Sequence, residues 1–225
     1  MLYNRNKQKE EQSADLTEPG RLITFEGIDG AGKTTQMLLL SQRLETEGIP
    51  VQILREPGGT RIGEVIRDVL LDKTYAEMCM ETELLLFEAA RAQLVREVIQ
   101  PDLAAGQWVI CDRFYDSTIA YQGYGRALDQ TAIRCIHRLA VGSCKPDLTI
   151  LLDLPVACAL ARLSKRGHKQ DRFDDESIAF MQRTRDGYLS LAKSEPERIV
   201  VIDATKPEED IAEQIYRITR EGLGI

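Results

Sequence analysis

The sequence predicts an α/β fold, a parallel sheet of about five strands with helices on both faces. Three observations carry that expectation. Five short apolar runs recur along the chain, separated by stretches with helical spacing. A glycine-rich loop, Gly27 to Thr34, joins the first apolar run to the first helical stretch. Two further runs end directly on arginines, Arg55 and Asp112-Arg113. Strands that alternate with helices pair in parallel and are buried between two helical layers.

Leu22 to Phe25 reads as the first strand and Thr35 to Leu44 as the first helix, with Gly48 as its stop signal. Val51 to Leu54 is a second strand, followed by the turn-rich segment R-E-P-G-G-T from Arg55. Helical spacing covers Ile62 to Leu71. It resumes near Thr82, runs through Val98 and is expected to stop near Pro101. Trp108 to Cys111 is the third strand and Thr131 to Val141 a helix. Asp147 to Leu152 is the fourth strand, followed by a helix over Pro155 to Ser164. Lys165 to Asp175 is polar and loop-like. Ser177 to Lys193 is helical, Ile199 to Ile202 is the last strand and Pro207 to Glu221 the last helix.

Composition narrows the classes. A chain of 225 residues can bury one good core as a single domain, expected over residues 21–225. A net charge of −7 argues against a broad phosphate-backbone footprint, so no nucleic-acid partner is expected. Cysteines at 79, 111, 135, 144 and 158 are odd in number and form no C-x-x-C pair. They suggest neither a disulfide framework nor a zinc site and point to a reducing, cytoplasmic compartment. His137 and His168 are the two histidines, too few to support histidine-based chemistry. No run is apolar enough to span a bilayer, since the best candidate, Leu148 to Leu163, is interrupted by Asp153 and Pro155. Residues 1–20 are polar and charged, without a signal-peptide core, and read as a mobile extension.

The loop Gly27-Ile28-Asp29-Gly30-Ala31-Gly32-Lys33-Thr34 fills G-x-x-x-x-G-K-[ST] at every fixed position, with Thr35 opening the helix behind it. Between a strand and a helix, such a loop turns successive backbone N–H groups toward one point, which suits nucleotide phosphates. Lys33 would reach the outer phosphates, and the Thr34 hydroxyl would hold Mg²⁺. Parallel sheets bind ligands at the carboxyl ends of their strands, the edge that also carries Arg55 and Arg113. Each arginine alone could be a surface charge. Together with a phosphate loop they point to an anion pocket.

Beyond the loop, the stretches L-L-F-E-A-A-R from Leu85, D-R-F-Y-D-S-T-I-A-Y-Q-G from Asp112 and P-D-L-T-I-L-L-D from Pro146 resemble thymidylate kinase in its bacterial form. The resemblance covers about residues 21–220, and the extension before Arg21 has no counterpart in it. It implies a P-loop NTPase-type three-layer fold, a homodimer, and transfer of a phosphoryl group from ATP-Mg to dTMP in dTTP biosynthesis. By resemblance, Arg55 and Arg113 clamp the acceptor monophosphate, and Asp29 faces that phosphate and magnesium. Phe87 stacks on thymine, although by spacing alone it reads as core. Arg91 donates to thymine O4, although it could equally form a surface pair with Glu88. Thr118 contacts thymine N3, Tyr121 crowds the sugar 2′ position, and Ser117 and Gln122 are supporting contacts.

Some relatives carry a catalytic arginine within the phosphate loop, where this chain has Gly30. Bacterial forms use a mobile lid instead, expected here at about residues 163–175 with Gly167 as a hinge. The segment from Ala161 to Asp174 supplies Arg162, Lys165, Arg166 and Arg172, of which Arg166 is the first choice and Arg172 the second, while Asp174 would hold a magnesium-bound water. Three competing readings remain to be weighed, and a scaffold that only binds nucleotides is disfavoured because every expected catalytic position is filled. A kinase for another nucleotide would lack the Phe87–Arg91 and Thr118–Tyr121 pairs. A GTPase switch would carry N-K-x-D and D-x-x-G, and the sequence has neither.

Overall fold

The computed structural model describes residues 19–166, 172–173 and 176–225, with Arg166 described in its backbone alone. Strands β1 (Leu22–Glu26), β2 (Val51–Arg55), β3 (Trp108–Asp112), β4 (Leu148–Asp153) and β5 (Ile199–Asp203) form one sheet in the order β2-β3-β1-β4-β5. Every pairing is parallel, as the alternation of strands and helices requires. The helices are α1 (Lys33–Thr46), α2 (Arg61–Leu71), α3 (Met80–Leu94), α4 (Gln100–Ala104), α5 (Tyr115–Thr118), α6 (Gln130–Val141), α7 (Val156–Arg166), α8 (Ile178–Ser194) and α9 (Glu208–Leu223).

Successive strand residues face opposite sides of the sheet and enter different cores. Ile23, Phe25, Ile110, Ile150, Leu152 and Ile202 pack with Met37, Leu40 and Leu44 of α1 and Ile211 and Ile215 of α9. On the opposite face, Leu22, Val109 and Cys111 meet Leu94, Ala140 and Val141. Leu151 and Ile199 meet Ile119, Ile133, Tyr188 and Leu191. That second face also holds polar groups. Thr24 and Thr149 share a 2.7 Å hydrogen bond across β1 and β4, and Arg198 donates to both carboxylate oxygens of Asp116 at 2.7 and 2.9 Å. Each charge is thus paired where it is buried.

Helix ends follow local chemistry. Thr60 caps α2 by accepting from the Gly63 N–H, and Ser177 caps α8 by accepting from the Phe180 N–H. Gly48, at φ +82°, supplies the left-handed turn after α1.

Two expectations need correction. The helix begun at Met80 does not stop at Pro101. A wider turn at Val95–Ile99, closed by the Gln100 N–H on the Val95 carbonyl, carries it into α4. The widened ladder leaves Pro101 in the first turn of the next segment, where a missing N–H breaks no bond. The segment after Arg113, for which no helix was expected, folds as α5 and a second wide turn at Ile119–Gly125. The Arg126 N–H closes that turn on the Tyr121 carbonyl at 2.8 Å.

Candidate active site

Loop Gly27 to Gly32 leaves β1 at the carboxyl edge of the sheet and enters α1 at Lys33. Its geometry depends on glycine. Gly27 has φ +134°, and a Cβ there would lie 2.5 Å from the Leu152 carbonyl oxygen. Gly30 has φ +84°, and a Cβ there would lie 2.9 Å from the Ala159 carbonyl oxygen and 3.3 Å from the Leu163 side chain of α7. A loop arginine at position 30 would therefore collide with α7 as it packs here.

A cavity of about 350 Å³ opens over this loop. Asp29, Gly30, Gly32, Lys33 and Thr34 line one wall, while Gly27, Ile28 and Ala31 lie buried beneath it and Thr35 stands behind in α1. Lys33 curls back so that Nζ lies 3.2 Å from the Gly27 carbonyl and 3.4 Å from that of Ile28. Burial lowers its pKa, as does neighbouring Arg113, while Asp112, Asp29 and Glu26 oppose both.

Arg113 forms the facing wall. Its backbone takes φ +70°, a strained value for a residue with a side chain. Nη2 donates to Asp29 Oδ1 at 2.7 Å and to Tyr121 Oη at 3.0 Å. Nη1 donates to the Gly27 carbonyl at 3.0 Å, Tyr188 Oη at 3.1 Å and Ser117 Oγ at 3.2 Å. Asp29 is half exposed. Desolvation raises its pKa, but the Arg113 and Lys33 charges and the hydrogen bonds from Arg113 and Tyr121 outweigh that and hold it at about 2. Burial pushes the Tyr121 hydroxyl up, so it stays protonated and donates to Asp29 Oδ2.

Arg55 lies at the same edge and is half exposed. It donates to Glu64 Oε2 at 2.9 Å and to the Pro57 carbonyl at 2.9 Å. Arg67 of α2 donates to the same carbonyl and lines the cavity beside it.

Arg91 is fully buried. Nε donates to Glu56 Oε2 at 2.7 Å and Nη2 lies 2.6 Å from the same oxygen. Nη1 donates to Glu88 Oε1 at 2.6 Å and Thr118 Oγ1 at 2.9 Å, and Nη2 to the Phe114 carbonyl at 3.2 Å. The pair with Glu88 exists, but as an interior contact rather than a surface one. It places Thr118 against the cavity on a fixed guanidinium. Burial pushes the Glu56 carboxyl up to about 7, against the pull of Arg91.

Phe87 is half-buried on the cavity wall, 5.9 Å between ring centroids from Phe173, which in turn lies 6.3 Å from Tyr121. Gln122 lines the cavity but donates its amide to Glu83 Oε1 at 2.8 Å. Of the lid arginines, Arg162 reaches the Gly30 carbonyl at 3.4 Å and the Ala204 carbonyl at 2.9 Å. Arg172 donates to Glu83 Oε2 at 2.6 Å and to the Leu70 carbonyl at 3.0 Å, so its guanidinium is engaged at the start of α3. The Arg166 side chain, Gly167 and Asp174 lie outside the described residues.

Sequence reasoning missed Arg67, Glu56, Glu83, Glu26, Tyr188 and Phe173. Glu56 sits inside the quoted R-E-P-G-G-T segment and Glu26 directly precedes the phosphate loop, so both were within reach. Tyr188 touches Glu26 across 162 residues of sequence and carries no local signal.

Oxygen-bearing side chains line the same cavity. Thr34, Asp29 and Asp112 line the cavity together, and the buried Asp112 Oδ1 has no hydrogen-bond partner. Among the described residues no cluster of three or more His, Cys, Asp or Glu groups is suited to a metal.

A family model described as "Thymidylate kinase" matches residues 25–215. A thymidylate kinase of Desulfovibrio desulfuricans is 50% identical over 198 residues, covering 85% of this chain and 91% of that protein. One of Geobacter sulfurreducens is 52% identical over 189 residues, covering 82% and 89%. The crystal structure of the Ehrlichia chaffeensis thymidylate kinase superposes with a TM-score of 0.72 at 36% identity, covering 90% of this chain and 99% of its own.

Proposed function

The chain belongs to the thymidylate kinase family, and from that membership we propose how the cavity works. The protein is a dTMP kinase: it transfers a phosphoryl group from ATP to dTMP, giving ADP and dTDP in dTTP synthesis. The reaction needs the acceptor phosphate aligned with the γ-phosphoryl group and charge neutralised as it spreads over the transferring oxygens. One observation carries the assignment of sides. Lys33 and the loop amides leave β1, Arg113 leaves the adjacent β3, and both face one cavity with Asp29 between them.

In this reading the loop from Gly27 to Thr35 and Lys33 hold the donor phosphates. Arg113, with Arg55 and Arg67 beyond it, receives the acceptor phosphate, and Asp29 steers Arg113. Phe87 supplies the flat face for thymine and Thr118, fixed by Arg91, a hydrogen-bonding group at its edge. Tyr121 walls the sugar. Ser117 and Gln122 hold Arg113 and Glu83 rather than leading the contact. Thr34, Asp29 and Asp112 would hold Mg²⁺, which neutralises phosphate charge when bound. Gly30 leaves the loop without an arginine of its own, which supports delivery of one from the lid.

A homodimer is supported by exposed apolar side chains on three adjoining helices, Ile62 and Val65 on α2, Leu85 on α3 and Leu139 on α6. No helix among the described residues is long and apolar enough to cross a membrane. Free, unpaired cysteines agree with a cytoplasmic setting. A coupled ADP-release assay comparing dTMP, dUMP, CMP and AMP tests the reading. Release driven by dTMP is expected, and equal turnover of CMP or AMP contradicts it.

A further inference from the structure

We propose that Glu26 is the positioning residue that holds Arg113 in its acceptor-binding geometry, an inference that rests on the acceptor-site reading above. Glu26 is fully buried at the end of β1 and does not line the cavity. Its two oxygens are nevertheless wholly engaged with Arg113's surroundings. Oε1 accepts the Phe114 N–H at 2.7 Å. Oε2 accepts the Ser117 hydroxyl at 2.6 Å and the Tyr188 hydroxyl at 2.9 Å.

The first bond holds the backbone. Phe114 directly follows Arg113, whose φ of +70° persists only if its neighbours over-determine it. The other two hold the side chain. Ser117 Oγ and Tyr188 Oη both accept from Arg113 Nη1, at 3.2 and 3.1 Å. Arginine donates and never accepts, so each hydroxyl meets it with a lone pair and turns its own proton elsewhere. Those protons need an acceptor: Glu26 Oε2 is within reach of both, and because the two hydroxyls also lie 2.7 Å from each other, where only one can donate, at least one proton goes to Glu26. One carboxylate on β1 thus fixes the backbone of Arg113 from behind and, through Ser117 of α5 and Tyr188 of α8, fixes its guanidinium from the side. A group that merely filled the core would not require this hydroxyl polarity.

Glu26→Gln tests the idea, because it keeps an oxygen for Phe114 but faces the two hydroxyls with a donor. The measurement is kcat/KM for dTMP and the dissociation constant for ATP in wild type, E26Q, R113A and the double variant, with melting temperatures as the check on folding. E26Q is expected to lower kcat/KM for dTMP by about 10- to 100-fold, the scale of a misplaced positioning group, with ATP binding within about twofold. The double variant should be no worse than R113A alone, since Glu26 acts through that residue. Losses that multiply in the double variant, or an equal loss of ATP affinity in E26Q, overturn the inference while leaving the acceptor-site reading intact. An R113A enzyme with normal dTMP use overturns that reading itself. If E26Q does not fold, Y188F removes one of the relay's protons while keeping the ring, and the same non-additivity with R113A decides.

Discussion

Arg113 Nη2 lies 2.7 Å from Asp29 Oδ1, an ion pair that joins the end of β3 to the phosphate loop after β1. The loop thus sets one carboxylate against two cations, Arg113 by direct contact and Lys33 through its charge.

The pairing has an acid signature. Asp29 is held at about 2, below its ordinary value of 3.8. A carboxylate whose pKa is lowered by folding adds stability above its unfolded pKa and loses it as pH falls through the folded one. The gap in melting temperature between wild type and Asp29→Asn should be constant above about pH 5 and close between about pH 4 and pH 2. A gap that persists at the acid end would contradict the assignment. Half the side chain is exposed, so the gap should be modest and shrink with salt.

Lys33→Ala should abolish phosphoryl transfer and leave the fold intact. Loss of one preorganised cation at a developing charge costs roughly 3 kcal/mol or more in the barrier. A folded variant with near-normal turnover would remove Lys33 from the donor site.

Arg91→Ala should destabilise the protein by about 3–5 kcal/mol, because it strands Glu56 and Glu88 in the interior. Thermal or urea unfolding checks this. A loss below about 1 kcal/mol would mean that water replaces the guanidinium and that Thr118 is held by other contacts.

Among the lid arginines, Arg166→Ala should lower turnover by about 10³-fold with little change in ATP affinity, as expected of a cation delivered only to the transition state. Arg162→Ala and Arg172→Ala complete the set. Near wild-type turnover in all three would place the missing cation elsewhere.

The sheet was legible because its strands are short apolar runs bounded by turn residues, and parallel strands buried on both faces need little else. The phosphate loop was legible because its function is coded by local spacing. The helix from Tyr115 to Gly125 was not. It mixes polar and apolar residues over two short pieces, and its start is held by a tertiary bond, the Phe114 N–H to Glu26. Pro101 misled because its usual cost disappears beside a widened turn. The cavity's supports were hidden for the same reason. Gln122 and Glu83 meet across 39 residues, and Arg91 and Glu56 across 35. The family resemblance suggested Arg91 as a base contact, but only the fold shows that its donors are taken by the protein itself.

The proposed function divides the cavity into a donor side at Lys33 and an acceptor side at Arg113. Titration of dTMP and of ATP onto wild type, Arg113→Ala and Arg55→Ala tests it most directly. The division requires weaker dTMP binding in both variants with ATP affinity little changed. Weakened ATP binding with dTMP affinity intact would reverse the two sites and contradict the account.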